Sequence, residues 1–149
     1  MQTIRIARLR SDAILPTRKH PADAGLDVYA VEAVTVAPHN FAIVPTGVTV
    51  EIPAGYVGLL KPKGRNNHLL GAGVVDAGYQ GEILVKVANL TGQPVVFGPG
   101  DAIGQLVILP VLTPAVEEVE QAVIHTQKTT RGGAGGIVSQ HTAPRKFDH

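Results

Sequence analysis

Gly71-Ala72-Gly73-Val74-Val75-Asp76-Ala77-Gly78-Tyr79-Gln80-Gly81-Glu82 joins two strongly strand-like runs, residues 56–60 and 82–90. The stretch reads as a glycine-punctuated turn that carries a carboxylate, Asp76, and one aromatic ring, Tyr79, with Glu82 opening the next strand-like run. Glycine lacks the Cβ that blocks close approach, so such a turn can press its backbone against a small flat ligand. The same turn holds Asp76 where it can accept a proton. Two readings follow: a nucleobase pocket with a built-in base, or a plain hairpin whose glycines serve only the bend. A plain hairpin has little use for so many glycines beside so few polar residues.

Outward from this turn, further strand signals lie at 3–9, 33–36, 41–50, 94–97 and 103–110, the third broken at Pro45-Thr46-Gly47. Between them fall the turn signals Pro38-His39-Asn40, Pro53-Ala54-Gly55, Asn89-Leu90-Thr91-Gly92 and Phe97-Gly98-Pro99-Gly100. Spacing this regular favours an all-β sandwich, barrel or jelly roll over a parallel α/β sheet. Residues 114–121 have the only claim to a helical turn or two. After about His125 the composition becomes polar, basic and glycine-rich. The expected organisation is a β domain over 1–126 and a mobile C-terminal tail over 127–149.

The 149 residues suffice for one domain with a real core, and 44% hydrophobic against 17% charged residues suits a folded globule. There are 17 glycines and 11 prolines, about a fifth of the chain, which implies many turns and few long helices. The absence of cysteine excludes disulfides, thiolate catalysis and cysteine-ligated zinc. With a net charge of +1 and no long basic run, a nucleic acid polymer would find little footprint, whereas a small anion needs only a few cations and amides. Met1-Gln2-Thr3-Ile4-Arg5 lacks the apolar stretch of a signal peptide, and no segment is apolar for long enough to span a bilayer. A cytoplasmic location without a membrane partner is therefore expected.

Four more patches could carry chemistry. Asp27, within Ala24-Gly25-Leu26-Asp27-Val28-Tyr29-Ala30, could fix a water or magnesium ion near phosphates, or simply cap local amides. Lys61-Pro62-Lys63-Gly64-Arg65-Asn66-Asn67 sets three cations around a glycine directly after a strand, which suits an anion nest or an ordinary basic turn. Gln105, in Gly100-Asp101-Ala102-Ile103-Gly104-Gln105, is an amide inside an apolar strand and needs a partner, either a phosphate or neighbouring backbone. Thr129-Thr130-Arg131-Gly132-Gly133-Ala134-Gly135-Gly136-Ile137-Val138-Ser139 could wrap a polyphosphate as a closing lid, or be a flexible linker.

Taken in order, these patches resemble the five motifs of the trimeric dUTPase family, from about Ile4 to Ser139. The resemblance implies a jelly-roll or β-clip barrel and a homotrimer with three shared active sites. It implies hydrolysis of dUTP to dUMP and pyrophosphate, which lowers dUTP and supplies dUMP for thymidylate synthesis. Magnesium would be carried in with the triphosphate. By the same analogy Asp76 orients and deprotonates the attacking water, and backbone from Gly73, Val74 and Val75 to Tyr79 reads uracil while Tyr79 packs on deoxyribose. Asp27 would bind magnesium through its water shell. Lys63, Gly64, Arg65, Asn66 and Gln105 would hold phosphates, with Arg131, Gly135, Gly136 and Ile137 arriving from the tail.

Three positions depart from the family pattern. The second motif has no serine and a shorter path to Gly71; Ile137 stands where a phenylalanine usually covers the base; Ala102 stands where an arginine is common. Base–aromatic stacking is worth roughly 1–3 kcal/mol, so an aliphatic cover should weaken binding about tenfold. Two rivals share the fold. A dCTP deaminase would use a glutamate such as Glu82 as proton shuttle, and a non-catalytic homologue would bind the nucleotide without turnover.

Overall fold

The structure is a computed structural model that describes residues 3–64, 66, 68–71, 73–130 and 132. The chain divides into two units, Met1–Thr113 and Pro114–His149. In the first, short runs of β-branched residues cut by proline and glycine produce eleven strands among the described residues. They are β1 (Arg5–Arg8), β2 (Gly25–Tyr29), β3 (Val34–Val36), β4 (Asn40–Pro45), β5 (Val48–Glu51), β6 (Tyr56–Lys61), β7 (Leu69–Leu70), β8 (Gly73–Val75), β9 (Leu84–Asn89), β10 (Val95–Phe97) and β11 (Ala102–Pro110). The described pairings are antiparallel: β1 with β5, β3 with β10, a sheet β4-β9-β7, and a four-stranded sheet β2-β11-β6-β8. The all-β jelly-roll expectation is borne out.

Alternation along the strands sorts the residues. In β9, Val85 and Val87 are buried while Leu84 and Lys86 are exposed. The same period in β2 buries Leu26 and Val28 and turns Asp27 to the other face. The core is built of small branched side chains, among them Val28, Val36, Val44, Val48, Val50, Val87, Ile103 and Leu106. Such stiff side chains lose little rotamer freedom on a pleated surface, which suits strands this short.

The expected turns at Pro53-Ala54-Gly55 and Gly98-Pro99-Gly100 form. Gly55 and Gly100 take φ of +81° and +86°, a left-handed conformation open to glycine at no steric cost. Two readings need correction. Within the stretch read wholly as a turn, Gly73–Val75 is a strand, β8, paired in register with Gly58, Leu59 and Leu60 of β6. Its three residues are too few to show a period. The helical turn expected over 114–121 is absent: Pro114 to Glu120 carries no helix, and a single 3-10 turn covers Gln121–Val123. Adjacent like charges at Glu117, Glu118 and Glu120, with β-branched Val116 and Val119, disfavour helix over those residues. Among the described residues no helix is long and apolar enough to cross a membrane.

Candidate active site

The sheet β2-β11-β6-β8 positions one half of the candidate residues. Register aligns Asp27 of β2 with Gln105 of β11, and Gln105 with Lys61 of β6. Just beyond β6, Lys63 folds back so that its ammonium ion-pairs with the Asp27 carboxylate, both side chains about one-fifth exposed. The Gln105 amide lies beside them and donates through Nε2 to the Pro62 carbonyl, 3.1 Å away. It fits because Gly25 has no side chain: a Cβ there would stand 2.1 Å from Gln105 Oε1. Asp27 is held at the backbone as well, its N–H donating to Thr17 O at 2.7 Å and its carbonyl accepting from Thr17 N at 3.2 Å.

A carboxylate, an ammonium and an amide converging on one sheet face can receive a phosphate chain and its counter-ion. No group of three or more metal-ligating side chains occurs among the described residues. The donors nevertheless fit magnesium, which keeps most of its water and binds through one or two carboxylates plus substrate phosphates. Asp27, ion-paired with Lys63, is the carboxylate on this face.

The other half lies at the far end of β8. Val75 is buried and Val74 is 61% exposed, so Val75 can offer a ligand only its backbone. The chain then turns, with Tyr79 N–H donating to Asp76 O at 3.1 Å and Gly78 at φ +112°. Asp76 is exposed on this turn. The Tyr79 ring lies across Gly81, where a Cβ would come within 2.7 Å of its Cζ, and its hydroxyl donates to Glu82 O at 2.9 Å. Gly73 is glycine for a different reason than ligand approach: a Cβ would be 2.9 Å from Leu60 Cδ1, so the space belongs to the core. The Glu82 carboxylate accepts the Gly47 N–H at 2.7 Å and is thereby committed to the scaffold.

Beside Gly78 and Tyr79 runs a groove of about 500 Å³, lined also by Ile6, Thr49 and Val50. Arg5 and Glu51 line it too and are ion-paired; the guanidinium holds the Glu51 carboxyl below the usual carboxylate range. Sequence reasoning did not find this groove, because its walls come from β1, β5 and the turn at 78–80, three segments far apart in the sequence.

A single chain does not bring the two halves together. Asp27 aligns through Gln105 with Lys61, whereas Val75 aligns with Gly58, three residues further along β6 and on its other side. With strands about 4.8 Å apart and rising about 3.3 Å per residue, the Asp27 and Val75 Cα atoms are on the order of 17 Å apart. Asp76 lies one residue beyond. Of the remaining expected residues, Gly64 has open space around its Cα, and the Asn66 amide donates to Ala102 O at 3.4 Å. Arg65, Arg131, Gly135, Gly136 and Ile137 lie outside the described residues. His68, a lone histidine with no motif around it, was missed by sequence reasoning, yet it is buried against β11.

Residues 11–136 match the dUTPase family. The chain is 40% identical over 145 residues to the deoxyuridine 5'-triphosphate nucleotidohydrolase of Gloeobacter violaceus, spanning 91% of this chain and 97% of that protein. It is 41% identical over 143 residues to the protein of the same name from Mycolicibacterium gilvum, spanning 89% and 92%. Among solved structures it resembles a variant dUTPase of Staphylococcus bacteriophage 80alpha with dUpNHpp: TM-score 0.81, 27% identity, 91% of this chain and 97% of that one. It also resembles a mutant dUTPase of phage phi11 of S. aureus, described with a structural Mg(II) ion: TM-score 0.74, 29% identity, 80% and 98% covered. The chain belongs to the dUTPase family.

Proposed function

We propose that this chain hydrolyses dUTP to dUMP and pyrophosphate as a cytoplasmic homotrimer that uses magnesium. The observation that carries the reading is the exposed Asp76 on a glycine turn beside Tyr79, within a sequence that belongs to the dUTPase family. Asp76 accepts a proton from a water as that water's oxygen attacks the α-phosphorus. The bond from the α-phosphorus to the bridging oxygen breaks, and pyrophosphate departs with the electron pair. Backbone from Gly73 to Tyr79 reads the uracil edge, and the Tyr79 ring packs on deoxyribose. Lys63, Gly64, Arg65, Asn66 and Gln105 hold the phosphates, while Arg131, Gly135, Gly136 and Ile137 cover the bound nucleotide. Magnesium, when bound with the triphosphate beside Asp27, neutralises phosphate charge. Phosphoryl transfer needs positioning and charge neutralisation more than covalent help, and these groups can supply both.

The separation of Asp27 from the Asp76 turn supports the trimer. The distance of about 17 Å exceeds what two side chains reaching one α-phosphate and its neighbours can bridge. A site shared between chains removes the difficulty, because the Asp76 turn of one copy can meet the Asp27 face of another. Nothing favours the deaminase rival, and Glu82 is occupied by the Gly47 N–H.

Incubating the purified chain with dUTP, dCTP, dTTP and UTP, and following pyrophosphate and ammonia separately, tests the reading. Pyrophosphate from dUTP alone is the expected result. Ammonia from dCTP would replace it with the deaminase, and tight dUTP binding with neither product would replace it with the non-catalytic homologue.

A further inference from the structure

Strand β11 carries an irregularity at the site. Ala102 aligns with Tyr29 and Gly104 with Val28, so Ile103 is an extra residue opposite β2. A bulge of this kind leaves backbone groups outside the ladder. The two carbonyls at the bulge are taken up by side chains of the loop that follows β6. His68 Nε2 lies 2.9 Å from Ile103 O, and Asn66 Nδ2 lies 3.4 Å from Ala102 O. A carbonyl can only accept, so Nε2 of His68 carries the proton. The ring is buried, 5% exposed, and stands edge-on to Phe97 with centroids 5.0 Å apart. Its orientation is therefore fixed on two sides.

The same loop begins at Pro62, whose carbonyl accepts from Gln105, and continues through Lys63, which pairs with Asp27. Pro62 and His68 are thus each fastened to β11, at Gln105 and at Ile103, and Lys63 follows the first of these points. Only Gly104 separates the two fastening points. Gly104 is itself closed in, since a Cβ would stand 2.7 Å from Leu70 Cδ1 and 3.2 Å from Lys61 O.

We infer that His68 is a positioning residue: by bonding the bulged carbonyl of Ile103 it locks the loop that presents Lys63 beside Gln105 to the phosphate chain of the nucleotide. The inference rests on the functional reading above and goes beyond it: of the groups assigned to substrate His68 meets the Asn66 amide, 3.5 Å from its Nε2, and its bond to Ile103 O is to scaffold. Loss of the donor leaves Ile103 O unpaired and frees the loop at one end. Lys63 then meets the outer phosphates in a wider range of positions. The base and sugar, read at the turn from Gly73 to Tyr79, are unaffected.

Two nucleotides separate this role from a general loss of structure. His68→Phe keeps the ring and its packing on Phe97 but has no donor, whereas His68→Gln restores an N–H at a similar reach. In the full chain, the dissociation constants of dUpNHpp and of dUMP are measured for native protein and both variants. H68F should weaken dUpNHpp about tenfold and leave dUMP within about twofold, and H68Q should behave as the native chain does. Should H68F fail to fold, His68→Met fills the space without a donor and is expected to give the same ratio. Equal weakening of both nucleotides, no change in either, or H68Q matching H68F overturns the inference alone. Failure of the native chain to bind either nucleotide overturns the functional reading, and this inference with it.

Discussion

Replacing Gly25 with alanine puts the phosphate-binding face to a sharp test. The new Cβ would stand 2.1 Å from Gln105 Oε1, 3.0 Å from its Cδ and 3.1 Å from its Cβ. Gly25 lies in β2 and is not among the residues with positive φ, so the backbone accepts alanine. The amide at the end of a flexible side chain is what must yield. Rotating it away breaks its hydrogen bond to Pro62 O, at a cost of about 1 kcal/mol. Alanine in a strand interior regains roughly 0.5–1 kcal/mol relative to glycine. The two nearly cancel, so the melting temperature should move by less than about 4 °C. The nucleotide sees no such cancellation. An amide turned out of line forfeits about 1.4 kcal/mol of phosphate contact, a tenfold rise in KM for dUTP. The assay is steady-state pyrophosphate release from G25A, Q105A and the double variant. In the Q105A background the amide is gone and the added methyl meets only the Cβ of residue 105, 3.1 Å away, so G25A should change KM less than twofold. A native KM for G25A, or an equal penalty with and without Gln105, would refute the placement of that amide.

Asp76→Asn should reduce kcat by at least about a thousandfold while leaving the dissociation constant of dUpNHpp within about threefold, since the amide keeps the shape but cannot take the proton. Gly81→Ala drives a Cβ to 2.4 Å from the Tyr79 hydroxyl; the displaced ring should raise KM about tenfold with kcat little changed, read in the same assay. Mixing inactive D76N and D27N chains, unfolding and refolding them together, should recover about a quarter of native turnover, because random assortment leaves one shared site in four intact. Recovery of none would place both carboxylates in one chain and remove the argument for a shared site. Ending the chain at Gln127 should lower kcat at least about a hundredfold with an unchanged melting temperature, and full activity would sink the role assigned to Arg131 and Ile137.

Much of the fold was legible because burial imposes a period of two on valine-rich runs and because glycine and proline mark where they stop. β4 and β5, parted at Pro45-Thr46-Gly47, emerged in this way, as did the turns at Gly55 and Gly100. β7 and β8 did not: β7 has two residues and β8 opens on a glycine inside a glycine-rich run, whereas the equally short β3 and β10 are made of Val, Thr and Phe. Their pairing is set by the neighbours: Leu69 and Leu70 align with Ala88 and Val87, and Gly73 is admitted by the room that Leu60 needs. The acidic segment 117–120 misled because charge is compatible with helix or with solvated coil, and the preferences of its glutamates and of Val116 and Val119 tip the balance only slightly.

For the site, the chemistry of single residues was readable and their meeting was not. Asp27, Lys63 and Gln105 converge through cross-strand register and a returning loop, relations that no local pattern encodes. Gly25 shows the limit most plainly. Nothing in its local sequence marks it out, but its missing side chain is space for an amide 80 positions later. His68 shows the complement: a histidine without a motif acquires a role only because β11 bulges at Ile103 and offers a carbonyl to it. The same register that gathers the phosphate face also sends Asp76 to the far end of β8. On the proposed reading the base that this half lacks comes from another copy of the chain, and the mixed D76N and D27N assembly is the direct test of it.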